Sequence, residues 1–89
     1  VDRIKEIMLI LQEECAEVSQ AISKCFRFGM ADCYPGTNTS NRDRLEEEIG
    51  DLLVMIALLE QAGVVTEAGL HAAFNGKIEK LKKWSKIYG

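Results

Sequence analysis

Apolar residues recur in alternating steps of three and four through most of the chain, and this spacing leaves few folds open. Ile4, Ile7, Leu11, Cys15, Val18, Ile22 and Cys25 form the first such stripe. At about 100° per residue they share one face of a helix. The pattern predicts a helix over residues 2–28, closed by Gly29 as a left-handed cap after Arg27. Leu45, Ile49, Leu52, Ile56 and Leu59, widened by Leu53 and Met55, predict a second helix over about residues 42–62, stopped by Gly63. Asn41 or Asp43 is the expected cap at its start. Thr66 is a good N-cap for a third segment, with Glu67 in its first turn. There Leu70, Phe74, Leu81 and Tyr88 share a face, flanked by Ile78 and Trp84, and Asn75-Gly76 is expected to break the segment in two. No stretch alternates with period two. The expected fold class is therefore all-α, an antiparallel bundle of three to four helices.

At 89 residues the chain is expected to form one domain, residues 1–89. A core of that size is marginal, and three or four helices leave apolar faces poorly covered. Completion of the bundle by homo-oligomerisation follows as an expectation. Residues 30–41 contain "CYPGTNTSN" with the only proline, and read as a long loop. A loop this long in so small a domain points to function or mobility.

Charge and cysteines narrow the function classes. The net charge of −3 carries no basic footprint for a nucleic-acid polymer, and a binder of polyphosphate at this charge needs metal ions as a bridge. Cys15, Cys25 and Cys33 are odd in number and contain no C-x-x-C pair, which argues against a disulfide framework or zinc site. Reduced thiols in a cytoplasmic protein are the simplest expectation. Cys15 and Cys25 are assigned to the core. No apolar run approaches the length of a membrane span, and the charged segment Asp2 to Glu6 does not read as a signal peptide.

The carboxylates are placed unusually. In "LEEEIGDLLVMIALLE" Glu48 shares its azimuth with Met55 and Leu59, and Asp51 follows one turn later, so the two border the burying face. Glu46, Glu47 and Asp43 face water at a helix start. On the first helix "EECAE" supplies Glu13, Glu14 and Glu17, with Glu14 flanking Leu11 and Val18. Antiparallel packing brings the two acidic pairs across one seam. Carboxylates crowded there raise one another's pKa, and desolvation adds to the effect. A hard divalent cation relieves this, and Mg²⁺, with oxygen ligands and positions left for water and phosphate, suits the set. A di-iron centre needs two Glu-x-x-His motifs, and the only histidine is His71.

Lys77 lies among Leu70, Phe74, Leu81 and Trp84, where a cation either snorkels or meets an anion. Asn75 and Lys80 stand near enough to donate to the same phosphate oxygens. Lys82, Lys83 and Lys86 read as a solvated face. Trp84, Tyr88, Phe26 and Phe28 are candidate walls for a base, although core or subunit packing explains them better.

"EECAEVSQAISKCFRFG" followed by "LEEEIGDLLVMIALLE" resembles the EExxE…ExxD signature of the MazG-like all-α nucleoside triphosphate pyrophosphohydrolases, especially compact versions common in phages. "NGKIEK" is similar to the family's downstream Asn-x-Lys segment. The resemblance implies hydrolysis of a (deoxy)nucleoside triphosphate to monophosphate and pyrophosphate in the bacterial cytoplasm, by a homodimer or tetramer. It implies Glu14, Glu17, Glu48 and Asp51 as ligands of Mg²⁺, or of Mn²⁺ in its place. Glu13 or Glu14 would activate water, and Asn75, Lys77, Lys80 and Lys24 would contact phosphate. The gap holding residues 30–41 is longer than the family pattern, so no base-recognition residue is carried over. Phosphoribosyl-ATP pyrophosphohydrolase, a dUTPase-like specificity and a non-catalytic helical interaction module are the alternatives.

Overall fold

A computed structural model describes residues 2–89. Three helices run in order, α1 (Arg3–Phe28), α2 (Asn41–Gln61) and α3 (Glu67–Trp84), and no strand occurs among the described residues. The all-α expectation holds. The chain divides into two compact units, Val1–Leu59 and Glu60–Gly89.

In the first unit α1 and α2 form an antiparallel hairpin. Glu14 meets Glu48 and Asp51, while Gly29 meets Asn41, so numbering rises on one helix as it falls on the other. Asp2 caps α1, its carboxylate accepting from the Lys5 N–H at 2.9 Å. At the other end Gly29 has φ +91° and ψ 147°, with its N–H donating to the Cys25 carbonyl. Positive φ requires glycine here, but this ψ is not the expected left-handed cap: the chain leaves the helix extended and enters the loop at once.

The long loop is tied rather than slack. Tyr34 to Thr37 turn with Pro35 second and Gly36 third at φ +76°, the type II pattern. The Thr37 N–H donates to the Tyr34 carbonyl at 3.0 Å, and the Tyr34 N–H to the Thr39 carbonyl at 2.8 Å. An isolated antiparallel bridge joins Cys33 to Ser40. Asn41, only 5% exposed, donates its side-chain amide to the Gly29 carbonyl at 3.0 Å and its backbone N–H to the Asp32 carbonyl.

Neither Asn41 nor Asp43 is the N-cap of α2. Ser40 takes that position: its hydroxyl accepts from the Asp43 N–H at 3.0 Å, and the Asp43 carboxylate accepts from the Ser40 N–H at 3.1 Å. This reciprocal capping box satisfies two donors at once. The hydrogen bond from the Ser40 backbone holds the Asp43 carboxyl below its ordinary value, with the side-chain hydrogen bond and Arg42 assisting. A lowered carboxylate pKa contributes stability above the unfolded value and loses it as pH falls through the folded one. Ser40→Ala should cost about 0.5–2 kcal/mol, read as a lowered midpoint in urea denaturation.

The buried seam is rotated from the expected stripe. Ile7 and Ala21 of α1 and Met55 and Leu59 of α2 are buried, with Leu11, Val18, Cys25, Leu52 and Ile56 half-buried. Cys15 and Ile22 are exposed, against the core assignment of Cys15, and so are Ile49 and Leu53. The apolar arc of each helix is wider than one neighbour covers. The α1–α2 contact takes one edge of it and leaves a second apolar strip facing outward.

In the second unit Thr66 caps α3 as expected, its hydroxyl accepting from the Gly69 N–H at 3.0 Å. The expected break at Asn75-Gly76 is absent, and α3 runs through both residues. A mid-helix glycine costs about 1 kcal/mol relative to alanine, which weakens a helix without ending it. No residue of α3 is buried; Ile78 and Leu81 are half-buried, and Phe74 and Trp84 are exposed.

Candidate active site

Glu14 of α1 and Glu48 and Asp51 of α2 each bring a carboxylate oxygen within 4.8 Å of the others. The packing explains how. Glu48, one turn before Leu52 and two before Met55, sits at the centre of the buried seam with 8% exposure, deeper than the rim position its sequence context indicated. Glu14 faces it from α1, half-buried between Leu11 and Val18. Asp51 lies at the exposed edge of the same face.

The electrostatics are unresolved by the protein alone. Glu14 Oε2 is shielded from solvent and has no hydrogen-bond partner. Burial raises the Glu14 pKa above the ordinary carboxylate value, and Asp51, Glu48, Glu17 and Glu13 raise it further. Among the described residues the cation paired with the cluster is Arg44, whose Nη2 lies 4.0 Å from Glu48 Oε1 and whose Nη1 lies 3.9 Å from Glu47. Three converging carboxylates, one of them carrying an orphaned oxygen, suit a hard divalent cation. These residues fit such an ion.

Glu13 and Glu17 are exposed, and neither belongs to the group of three. Both are near enough to act on Glu14 through charge. Lys24 is half-buried on α1, its Nζ 4.9 Å from the centre of the Tyr34 ring. Asn75, Lys77 and Lys80 lie exposed on α3 in the second unit, where the Asn75 amide pairs with His71 Nε2 at 3.2 Å. Phe26, Trp84 and Tyr88 are exposed, while Phe28 and Tyr34 line a cleft at the loop. Sequence reasoning passed over Arg44 and Tyr34. The Arg44–Glu48 spacing of four on one helix was the available signal for Arg44; only the loop fold brings Tyr34 to it, 5.6 Å from the guanidinium.

Proton competition follows from the raised Glu14 pKa. Without a cation, the contribution of protonated Glu14 to stability is present below the unfolded value and is lost as pH rises through the raised one. A cation must displace that proton. Mn²⁺ affinity, measured by electron paramagnetic resonance, should therefore strengthen up to about tenfold per pH unit below the raised value and level off above it.

An all-α chain with a convergent carboxylate cluster on two antiparallel helices belongs to the class of helical proteins equipped to hold a divalent cation. The family model for the MazG nucleotide pyrophosphohydrolase domain matches residues 3–86. The chain belongs to that family. A search of curated proteins and one of solved structures each returned no significant match. No helix among the described residues is long and apolar enough to cross a membrane.

Proposed function

We propose that the protein hydrolyses (deoxy)nucleoside triphosphates between the α and β phosphates in a Mg²⁺-dependent reaction, releasing monophosphate and pyrophosphate. Family membership supports nucleotide pyrophosphohydrolysis, and the convergence of Glu14, Glu48 and Asp51, with an orphaned oxygen on Glu14, supports the metal dependence. Glu14, Glu48 and Asp51 would hold the ion, with Glu17, one turn further along α1, as the fourth carboxylate. When bound, Mg²⁺ (or Mn²⁺) supplies Lewis-acid polarisation of the phosphates and of the attacking water.

The chain's own residues do the rest. Glu13 or Glu14 accepts the proton of the attacking water. Arg44 offsets the charge of Glu48 and Glu47 and keeps the cluster from repelling a polyphosphate outright. Asn75, Lys77 and Lys80 are the phosphate contacts that the family resemblance implies; Lys24 lies over the Tyr34 ring, about 15 Å along α1 from Glu14 at 1.5 Å of rise per residue, and is not assigned to phosphate. The outward apolar strip supports self-association as a homodimer or tetramer: Met8, Leu9, Leu53 and Val54 are each 50–58% exposed. Light scattering checks this directly, and the mass of a single chain would remove it.

The test of activity is a panel of common NTPs and dNTPs with and without Mg²⁺, read by pyrophosphate release. Orthophosphate as the first product, or turnover that survives chelation, would sink the proposal. A protein without any nucleotide turnover and without Mg²⁺-dependent stabilisation would instead be the helical interaction module.

A further inference from the structure

The loop and the C-terminal end of α1 enclose a cleft of about 350 Å³, within the range of small-ligand sites. Phe28, Tyr34 and Pro35 give it flat apolar walls, and Lys24, Asp32 and Asn41 are its polar groups. Two of these three are already engaged. The Asn41 amide is spent on the Gly29 carbonyl, and the Lys24 ammonium sits over the Tyr34 ring. The Asp32 carboxylate has no hydrogen bond or ion pair among the described residues. Its backbone is nonetheless pinned, with the N–H on the Gly29 carbonyl at 3.4 Å and the carbonyl accepting from the Asn41 N–H at 2.9 Å. An exposed, uncommitted carboxylate on a pinned backbone, at the edge of a flat apolar cleft, is the chemistry that recognises a planar ring bearing N–H donors.

We propose that this cleft takes the base of the nucleotide substrate, and that Asp32 selects guanine. The proposal rests on the pyrophosphohydrolase reading above. An ionised carboxylate accepts and cannot donate. Guanine presents N1–H and an N2 amino group side by side, which matches both carboxylate oxygens. Adenine and cytosine present one amino group beside a ring lone pair that faces the second oxygen. Uracil and thymine present one N–H between two carbonyls, which the carboxylate repels.

The position suits a substrate anchored at the acidic cluster. Lys24 lies on the same helix as Glu14, about 15 Å further along, and Asn41 precedes Glu48 on α2 by about 10 Å, at 1.5 Å of rise per residue. A nucleoside triphosphate bridges that span from base to phosphates. The turn and bridge that order the loop give the cleft a preformed wall.

The experiment compares kcat/KM for GTP, ATP, CTP and UTP with Mg²⁺ in the wild type, in Asp32→Asn and in Tyr34→Ala, with circular dichroism to verify folding. Guanine nucleotides should lead in the wild type. Asp32→Asn, which preserves shape, should cut the GTP-to-UTP ratio by about tenfold or more, chiefly through KM. A second arm titrates guanosine without metal and tests whether it competes with GTP. Competition places the substrate's own base in the cleft; binding without competition makes the cleft an effector site and overturns the proposal. An active protein whose base ranking is the same in all three forms also overturns it and leaves the pyrophosphohydrolase reading intact. A wild type that hydrolyses no triphosphate overturns that reading instead. The guanosine titration then decides the cleft alone: binding lost in Asp32→Asn supports base recognition, and no binding rejects it.

Discussion

Replacing Glu48 with Gln should lower kcat/KM for any accepted triphosphate by more than about 100-fold, since even the outer partners of metal ligands are worth 10–100-fold. The helices should remain folded. Glu48 is 8% exposed at the centre of the α1–α2 seam, and Gln preserves its volume. In the absence of metal the variant should melt at or above the wild-type temperature, because one of three converging negative charges is gone. Mg²⁺ should raise the wild-type melting temperature through its preference for the folded state and should not move that of the variant. Differential scanning fluorimetry with and without Mg²⁺, beside a pyrophosphate assay, measures both. Wild-type activity at saturating Mg²⁺ would show that Glu48 is not a ligand. A variant that melts lower without metal would show that the carboxylate stabilises the seam and does not strain it.

The second large effect belongs to the core. Leu59 is 7% exposed, one of only four buried apolar side chains among the described residues. Truncating a buried leucine to alanine costs about 2–5 kcal/mol, against a total of about 5–15 kcal/mol for a typical domain. Leu59→Ala should therefore lower the melting temperature by about 10 °C or more, or leave the chain partly unfolded at room temperature. Cys15→Ala is the control. The helical stripe put Cys15 in the core, but its side chain is exposed, so the substitution should stay within about 0.5 kcal/mol. Urea denaturation at two protein concentrations separates chain stability from any stabilisation by self-association. A large loss in the Cys15 variant that shrinks on dilution would reveal that its strip is covered by another copy.

The contrast between Leu59 and Cys15 shows where periodicity stops being informative. Helical spacing identifies an apolar arc, and each arc here is broad: Ile4, Met8, Ile22, Ile49 and Leu53 all sit within it and all are exposed. Which edge of the arc meets the neighbouring helix depends on the neighbour. The loop was legible as a loop, because Pro35 and Gly36 supply a turn, but its order was not. The Cys33–Ser40 bridge and the Asn41 bond to Gly29 are contacts between residues too far apart for local pattern to register. The Ser40–Asp43 capping box, by contrast, is local: Ser-x-x-Asp was there to be read, and only Asp43 of the pair was among the expected caps. The break expected at Asn75-Gly76 failed for a different reason, since a propensity cost of about 1 kcal/mol is small beside the cooperativity of the surrounding turns.

The acidic cluster was the most legible part. The azimuth of Glu48 follows from its spacing to Met55 and Leu59, and a carboxylate on a burying face marks itself by its cost. By itself the sequence determined that the chain is helical, the order of its helices, and that Glu14 and Glu17 on one helix and Glu48 and Asp51 on the next border burying faces, because residue spacing on a helix is fixed by backbone geometry. The tertiary structure decided that Glu48 lies at the centre of that seam, that Glu17 stays outside the converging three, and that Tyr34 is brought to Lys24 and Arg44. It also left the Asp32 carboxylate without a partner among the described residues, beside an apolar cleft. These depend on how one helix rotates against the next and how a loop closes, and no spacing within a single helix encodes either.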